Sequence, residues 1–137
     1  MSAAVLLEVS DLRKHFPVRK GIFGRAAGKV HAVDGISFSI HAGETLGLVG
    51  ESGCGKSTAG KTILRLIEPT GGTIEWRGRR IDGLDRAGMR PFRQELQAVF
   101  QDPYSSLNPR MRAADIVAEP IRNYQNASGA EIAERVE

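Results

Sequence analysis

The nine residues 50–58, with the sequence GESGCGKST, constrain the fold of this chain more than any other part of it. They match the phosphate-loop pattern G-x-x-x-x-G-K-[ST], in which glycines let successive backbone N–H groups turn towards phosphate oxygens. A short apolar run precedes the loop, and apolar residues at helical spacing follow it. This order of strand, loop and helix predicts an α/β fold that binds a nucleoside triphosphate.

Each residue type in the loop suits a particular contact with the nucleotide. The ammonium group of Lys56 is predicted to reach the β- and γ-phosphates, and the Ser57 hydroxyl to ligate Mg²⁺. Thr58, in the first helical turn, is predicted to donate to an α-phosphate oxygen. The remaining residues of the predicted cradle are Gly50, Glu51, Ser52, Gly53, Cys54 and Gly55.

The segment before the loop contains three predicted strands and one predicted loop. Residues 5–9 are apolar enough for a short strand, and residues 36–40 alternate isoleucine or phenylalanine with serine, as a half-buried strand does. Residues 18–29 are polar and contain three glycines, which predicts a long loop. Residues 45–49 are predicted to form the buried parallel strand that leads into the phosphate loop.

After the loop, apolar residues at helical spacing predict a helix that ends at Pro69. Extended structure is predicted for residues 73–76, and again for residues 96–100, which would deliver Gln101 to a loop. Two helices are expected nearer the C-terminus. The first covers residues 113–124 with a bend or interruption at its proline, and the second begins with a capping box at residues 128–131.

Composition argues against several classes of function. Of the 137 residues 26% are charged and the net charge is +3, but the basic residues are spread out, so no nucleic-acid partner is expected. Cys54 is the only cysteine, and no Cys/His cluster has the spacing of metal ligands, which argues against structural zinc. Neither a secretory signal nor an apolar run of roughly 18 residues is present, so a cytosolic location is expected.

Three further motifs carry a resemblance to a known family: residues 32–38 (AVDGISF), 99–103 (VFQDP) and 106–111 (SLNPRM). Together with the phosphate loop, they resemble the first half of an ATP-binding cassette (ABC) subunit. Within that family, residues 32–38 and 106–111 are similar to the ATPases of dipeptide and oligopeptide importers. The resemblance implies a P-loop NTPase of ABC type, with an antiparallel β subdomain and a parallel-sheet core, truncated at the start of the helical subdomain.

The resemblance also assigns roles to parts of the chain and to individual residues. It makes residues 1–101 the β subdomain with the phosphate-loop core, and residues 102–137 the Q-loop with the beginning of the helical subdomain. Gln101 becomes the Q-loop glutamine, which approaches Mg²⁺ or the attacking water, so that Lys56 and Gln101 are the expected catalytic residues. Adenine in this family stacks on an aromatic residue after the first strand. Phe16 occupies that place, with His31 and Phe23 as alternatives.

The implied activity is ATP hydrolysis that energises the import of dipeptides or oligopeptides, with ATP and Mg²⁺ as ligands. The implied partners are transmembrane permease subunits and a second ATP-binding subunit, in a homo- or heterodimer. An extracytoplasmic solute-binding protein would take part indirectly. The chain would then be a peripheral protein at the cytoplasmic face of the plasma (inner) membrane, where segment 102–111 and the two helices after it resemble the part that docks onto the permeases.

The sequence also departs from the family pattern. A complete subunit continues with an L-S-G-G-Q signature, a Walker B strand that ends in Asp-Glu, and a switch histidine, and residues 112–137 contain none of these. Two interpretations follow: an N-terminal part of a longer importer ATPase, or a truncated, non-hydrolysing nucleotide-binding remnant. An in-frame continuation of the coding DNA that encodes L-S-G-G-Q would favour the first, and a stop codon would favour the second.

Overall fold

The computed structural model describes residues 4–20, 25–125 and 127–136 and divides into two compact units, Met1–Arg93 and Gln94–Glu137. The strands are β1 (Val5–Lys20), β2 (Arg25–His41), β3 (Gly71–Trp76) and β4 (Arg79–Arg80). The helices are α1 (Lys56–Ile63), α2 (Arg86–Met89), a 3₁₀ helix (Pro91–Gln94), α3 (Pro103–Ser106), α4 (Ala113–Tyr124) and α5 (Gly129–Val136).

The first unit is built on an antiparallel sheet with the strand order β2-β1-β3-β4. β1 and β2 pair along their whole length, from Val5 opposite His41 to Lys20 opposite Arg25. The predicted loop over residues 18–29 is therefore wrong for residues 18–20 and 25–29, because these residues belong to strands that pair with each other in an antiparallel ladder. Residues 21–24 of that predicted loop, with Phe23, lie outside the described residues.

The inner face of β1 begins the hydrophobic core of this unit. Leu7 and Val9 point inward two residues apart, as a strand requires, and a register shift follows between Val9 and Leu12. Asp11 absorbs the shift with a φ of 48° and donates its backbone N–H to the Ser37 hydroxyl at 2.8 Å, so that Leu12 is also buried. The core is completed by Val33, Ala59, Ile74, Ile81, Met89 and Phe92.

Helix α1 follows the phosphate loop as predicted, but it ends at Ile63 instead of continuing towards Pro69. Arg65 adopts the left-handed conformation, with a φ of 54°, which stops the helix. Its guanidinium donates to the carbonyl oxygens of Ile81 at 3.0 Å and Leu84 at 2.8 Å. These two bonds join the end of the helix to the segment that follows β4.

Arg93, the last residue of the first unit, binds the same end of α1. Its guanidinium donates to the Leu64 carbonyl and, at 2.9 Å, to the Arg65 carbonyl. The last carbonyls of a helix lack intrahelical partners and carry partial negative charge, so a cation placed there stabilises the helix. Side chains far apart in the sequence therefore fix the C-terminal end of the phosphate-loop helix.

Two segments predicted as strands, residues 45–49 and 96–100, have no regular structure, and both predictions are wrong for this structure. Residues 44–50 and 97–100 form neither helix nor strand, and Val49 and Val99 are 94% and 97% exposed. A parallel strand needs neighbouring strands and covering helices to bury its apolar residues. Within the described residues, the sheet contains antiparallel pairs only, so no neighbour is available to either segment.

The second unit is helical, and its two longer helices are confirmed at the predicted positions. α4 continues through Pro120 as one helix, and it contacts α5, with Ala118 and Ile132 buried. The loop predicted to follow residues 96–100 contains the single helical turn α3. A membrane-spanning helix is absent from the part of the chain that the structure describes, since none of its helices combines the required length and hydropathy.

The capping box predicted for α5 is confirmed. The backbone N–H and the hydroxyl of Ser128 donate to Glu131 Oε2 at 2.7 and 2.8 Å, and the Glu131 N–H returns a bond of 3.4 Å to the Ser128 hydroxyl. The bonds from the Ser128 N–H and hydroxyl lower the pKa of Glu131, because they stabilise its ionised form. The pattern S-x-x-E thus predicted both the start of the helix and its hydrogen bonds.

The core assignment predicts the effect of truncating Ile74, which lies opposite Val9 in the β1–β3 pair and is fully buried. The Ile74→Ala variant should lose about 2–5 kcal/mol of unfolding free energy, because the deletion leaves a cavity in the core. Urea unfolding followed by circular dichroism measures the loss. The control is Val5→Ala on the same sheet, where the side chain is 41% exposed. Equal losses in the two variants would contradict the assigned core.

Candidate functional site

The phosphate loop rests directly on the backbone of β2. Gly55 is the N-cap of α1 and has a φ of 97°, in the left-handed region that favours glycine. A Cβ atom on Gly55 would lie 1.9 Å from the carbonyl oxygen of Ala32, which is far inside van der Waals contact. Only a residue without a side chain allows the loop and the strand to approach this closely, so Gly55 fixes the position of the loop.

The Lys56 side chain curls back into the loop that precedes it. Its ammonium group donates to the carbonyl oxygen of Gly50 at 2.6 Å and to that of Glu51, and Cys54 Sγ lies 3.5 Å away. The side chain is partly buried, and Ser57 beside it is exposed. The Lys56 ammonium therefore bonds to neutral carbonyl oxygens of the loop. An anion in the same place would be a stronger acceptor than these carbonyls.

A cavity of about 440 Å³ lies between this loop and β2. One wall consists of Val30, His31 and Ala32, and the other consists of residues 52–58. The first intrahelical bond of α1 runs from Ala59 N–H to the Gly55 carbonyl at 2.8 Å, so the preceding N–H groups have no partner within the helix. Orphan N–H groups and the positive end of the helix dipole favour an anion in this cavity.

The aromatic candidates differ in their relation to this cavity. Phe16 lies on β1 opposite Val30, is 38% exposed, and has the Lys14 ammonium 4.9 Å from its ring centroid. Val30 and His31 line the cavity, whereas Phe16 is not among the lining residues. Phe23 lies outside the described residues. His31 thus lies on the cavity wall. Phe16 does not line the cavity, but it lies opposite Val30, which does.

Gln101 belongs to the second unit, where it is exposed and immediately precedes the turn that leads to α3. The Asp102 carboxylate accepts the Tyr104 N–H at 3.1 Å, which caps this short helix. Gln101 therefore follows the irregular segment 97–100 and not the strand that the sequence predicts there. Its contact with Mg²⁺ or water stays a prediction.

The fold also creates a cluster that the sequence did not predict. His15 and His31 are cross-strand partners, and their rings stack with centroids 3.9 Å apart. The Asp34 carboxylate bonds to both: Oδ1 lies 2.9 Å from His15 Nε2, and Oδ2 lies 3.2 Å from His31 Nδ1. These bonds, first from His31 and then from His15, lower the pKa of Asp34. Only the register of the hairpin reveals this cluster, because its histidines are far apart in the sequence.

A phosphate loop that begins a helix and packs against a β-hairpin defines a P-loop protein of the α/β class. The family model described as ABC transporter matches residues 33–137, which is most of the chain. The chain therefore belongs to the ABC transporter family. This finding confirms the resemblance that the sequence motifs carry.

Relatives with curated names are ATP-binding proteins of transport systems. The oligopeptide transport ATP-binding protein AppF of Bacillus subtilis (strain 168) is 50% identical over 133 residues, which are 96% of this chain and 40% of AppF. The glutathione import ATP-binding protein GsiA of Escherichia coli (strain K12) is 46% identical over 131 residues, which are 96% of this chain and 21% of GsiA. The chain thus spans well under half the length of these relatives.

Solved structures confirm the fold class. A dimeric post-hydrolysis state of the ATP-binding cassette MJ0796, bound to ADP and Pi, superposes with a TM-score of 0.76 at 24% identity. The match covers 96% of this chain and 54% of that chain. A second dimeric structure of MJ0796, described as a bacterial ABC transporter cassette, gives a TM-score of 0.76 at 26% identity. The antiparallel sheet and phosphate-loop helix are thus part of a cassette fold.

The Gly55 contact predicts different effects for two glycine substitutions in the loop. Gly53 also has a positive φ, of 81°, but a Cβ atom there would meet no atom within 4 Å, whereas Gly55→Ala would collide with the Ala32 carbonyl. Both variants suffer the left-handed strain, and only Gly55→Ala must also move the loop. Triphosphate binding, measured by anisotropy of a fluorescent ATP analogue, should be weaker in Gly55→Ala than in Gly53→Ala by about tenfold or more. Equal dissociation constants would contradict this role of the contact.

Proposed function

We propose that this chain is the nucleotide-binding part of an ATP-binding subunit of an ABC importer for dipeptides or oligopeptides. The observation that carries the proposal is the Lys56 ammonium, held inside a loop that Gly55 fastens against β2. The names of the relatives support the transport role, because AppF is described as an oligopeptide transport protein and GsiA as a glutathione import protein. The triphosphate of ATP would occupy the cavity between residues 52–58 and β2.

The contacts of Lys56 suggest how the loop exchanges partners when it binds phosphate. Its ammonium donates to the neutral carbonyl oxygens of Gly50 and Glu51. Phosphate oxygens carry full negative charge, and a charge-assisted hydrogen bond to them is about twice as strong as a neutral one. The N–H groups at the start of α1 would complete the cradle. Lys56 thus supplies charge without a large movement of the chain.

The oxygen donors of the chain suit Mg²⁺, which accepts few protein ligands and retains several waters. Ser57 offers an exposed hydroxyl in the first turn of α1, beside the lysine that would hold the phosphates. Gln101, in the motif VFQDP, is the other ligand proposed for the ion, through its side-chain amide oxygen. When bound, the ion would neutralise charge on the phosphate oxygens. The chain's part is to present Ser57 and Gln101 to it.

Adenine would stack at the edge of the hairpin. Phe16 is the proposed platform, because its cross-strand partner Val30 lines the cavity. His31, the aromatic residue on the cavity wall itself, is the alternative. A base on an aromatic face is stabilised by about 1–3 kcal/mol. The phosphate loop would then bind the charged triphosphate, and the edge of the hairpin would contact the base.

The proposed assembly follows from the same family. The chain would pair with a second ATP-binding subunit and act on transmembrane permease subunits, at the cytoplasmic face of the plasma membrane. A solute-binding protein outside the membrane would deliver the peptide. Residues 1–101 would act as the β subdomain with the nucleotide site. Residues 102–137, with α4 and α5, would begin the helical subdomain that docks onto the permeases.

The proposal predicts that ATP affinity depends on one lysine of α1. Lys56→Ala should weaken ATP binding by about 10- to 100-fold, because it removes a charge-assisted contact with the phosphates. Isothermal titration calorimetry with ATP and Mg²⁺ measures the change. Lys61→Ala is the matched control, since Lys61 lies on the same helix, carries the same charge and is exposed. Similar losses in both variants would show a general charge effect and refute the proposal.

A second prediction concerns turnover. The chain of residues 1–137 should bind ATP without steady-state hydrolysis, because it contains no Asp-Glu pair that could orient the attacking water and no L-S-G-G-Q signature. Phosphate release by the purified chain should equal that of Lys56→Ala. Release above that background would contradict the prediction and would require another general base among the residues present.

A further inference from the structure

We infer that His15, His31 and Asp34 form a binding site for a divalent transition-metal ion of the Zn²⁺ or Ni²⁺ type, at the edge of the cavity. The site is separate from the Mg²⁺ contacts proposed for Ser57 and Gln101. It needs no nucleotide, so it stands or falls independently of the proposed function.

The first argument is convergence. Each of the three residues offers one ligand atom, and these atoms all lie within 4.8 Å of one another. The hairpin holds them there, because His15 and His31 are directly opposite on β1 and β2, and Asp34 follows three residues later on β2. Strands are rigid supports, so the geometry does not depend on a loop.

The second argument is the chemistry of the donors. Two imidazole nitrogens with one carboxylate oxygen form a set that Zn²⁺ and related ions prefer, whereas Mg²⁺ and Ca²⁺ prefer oxygen ligands alone. Three protein ligands also leave a coordination position for water or another molecule. His31 lines the cavity as well, so an ion bound here would lie beside whatever occupies that cavity.

The third argument is that hydrogen bonds already hold the three ligand groups next to one another. The carboxylate already lies 2.9 Å from His15 Nε2 and 3.2 Å from His31 Nδ1. Each neutral imidazole would bind the ion through the nitrogen that now faces the carboxylate and would carry its one proton on the other ring nitrogen. The rings are 18° from parallel and would need to open further, and the half-exposed His31 side chain has room to turn.

The surroundings leave the carboxylate available to a cation. Arg13 lies opposite Asp34 in the register, but its guanidinium donates to the Asp11 carboxylate at 3.0 and 3.2 Å. Asp34 is thus paired with the two histidines in the cluster, and both imidazoles can serve as neutral ligands for an ion. An ion bound to these residues would also cross-link β1 and β2, so binding of the ion should raise the melting temperature of the chain.

The experiment is calorimetric titration of the tag-free, chelator-treated chain with ZnCl₂ and NiCl₂, in the absence of nucleotide. Saturable binding of one ion per chain is expected, together with a rise in melting temperature. His15→Gln, His31→Gln and Asp34→Asn should each lose at least about tenfold in affinity. These substitutions are on partly or largely exposed side chains, and circular dichroism checks that each variant is folded.

Two controls test the location. His41→Gln removes the remaining histidine, which pairs with Glu44 at 2.9 Å, and Cys54→Ser removes the thiol on the cavity wall. Both variants should bind the ion as tightly as the parent chain. Titration with Co²⁺ gives an independent readout, because nitrogen and oxygen ligands produce no thiolate charge-transfer band. Absence of saturable binding, loss of binding in either control, or a thiolate band would overturn the site.

Discussion

The approach of the Gly55 backbone to the Ala32 carbonyl is the contact on which the cavity depends. It brings the phosphate loop against β2, so that a strand of the hairpin becomes the second wall of the cavity. The same glycine starts α1 with a left-handed conformation. One residue without a side chain therefore sets both the direction of the helix and the width of the cavity. The position of Lys56, the next residue, follows from these two constraints.

The first unit can form this sheet because antiparallel pairing needs only segments that the chain itself supplies. β1 and β2 make a hairpin, and β3 adds to β1 by pairing Val9 with Ile74. The segments around Val49 and Val99 differ, because buried parallel strands need several neighbours at once. The chain covers 40% of the length of AppF, and within its described residues these apolar segments are exposed.

Local patterns in the sequence predicted the parts of the structure that local forces determine. The phosphate loop, α4 and the capping box of α5 depend on residues a few positions apart, and the structure has them where the sequence places them. Register is not local, so the bulge at Asp11 and the pairing of His15 with His31 could not be predicted. Gln101 and Phe16 were identified from family motifs, and their roles in binding stay predictions.

Two hydrogen bonds from Arg93 fix the end of α1 that lies opposite the phosphate loop. Arg93 is the last residue of the first unit, and its guanidinium donates to the carbonyl oxygens of Leu64 and Arg65 at the C-terminal end of α1. The N-terminal end of α1 is joined to the phosphate loop. Both ends of α1 therefore depend on a cationic side chain. Lys56 bonds to carbonyl oxygens of the phosphate loop, and Arg93 bonds to carbonyl oxygens at the C-terminal end of the helix.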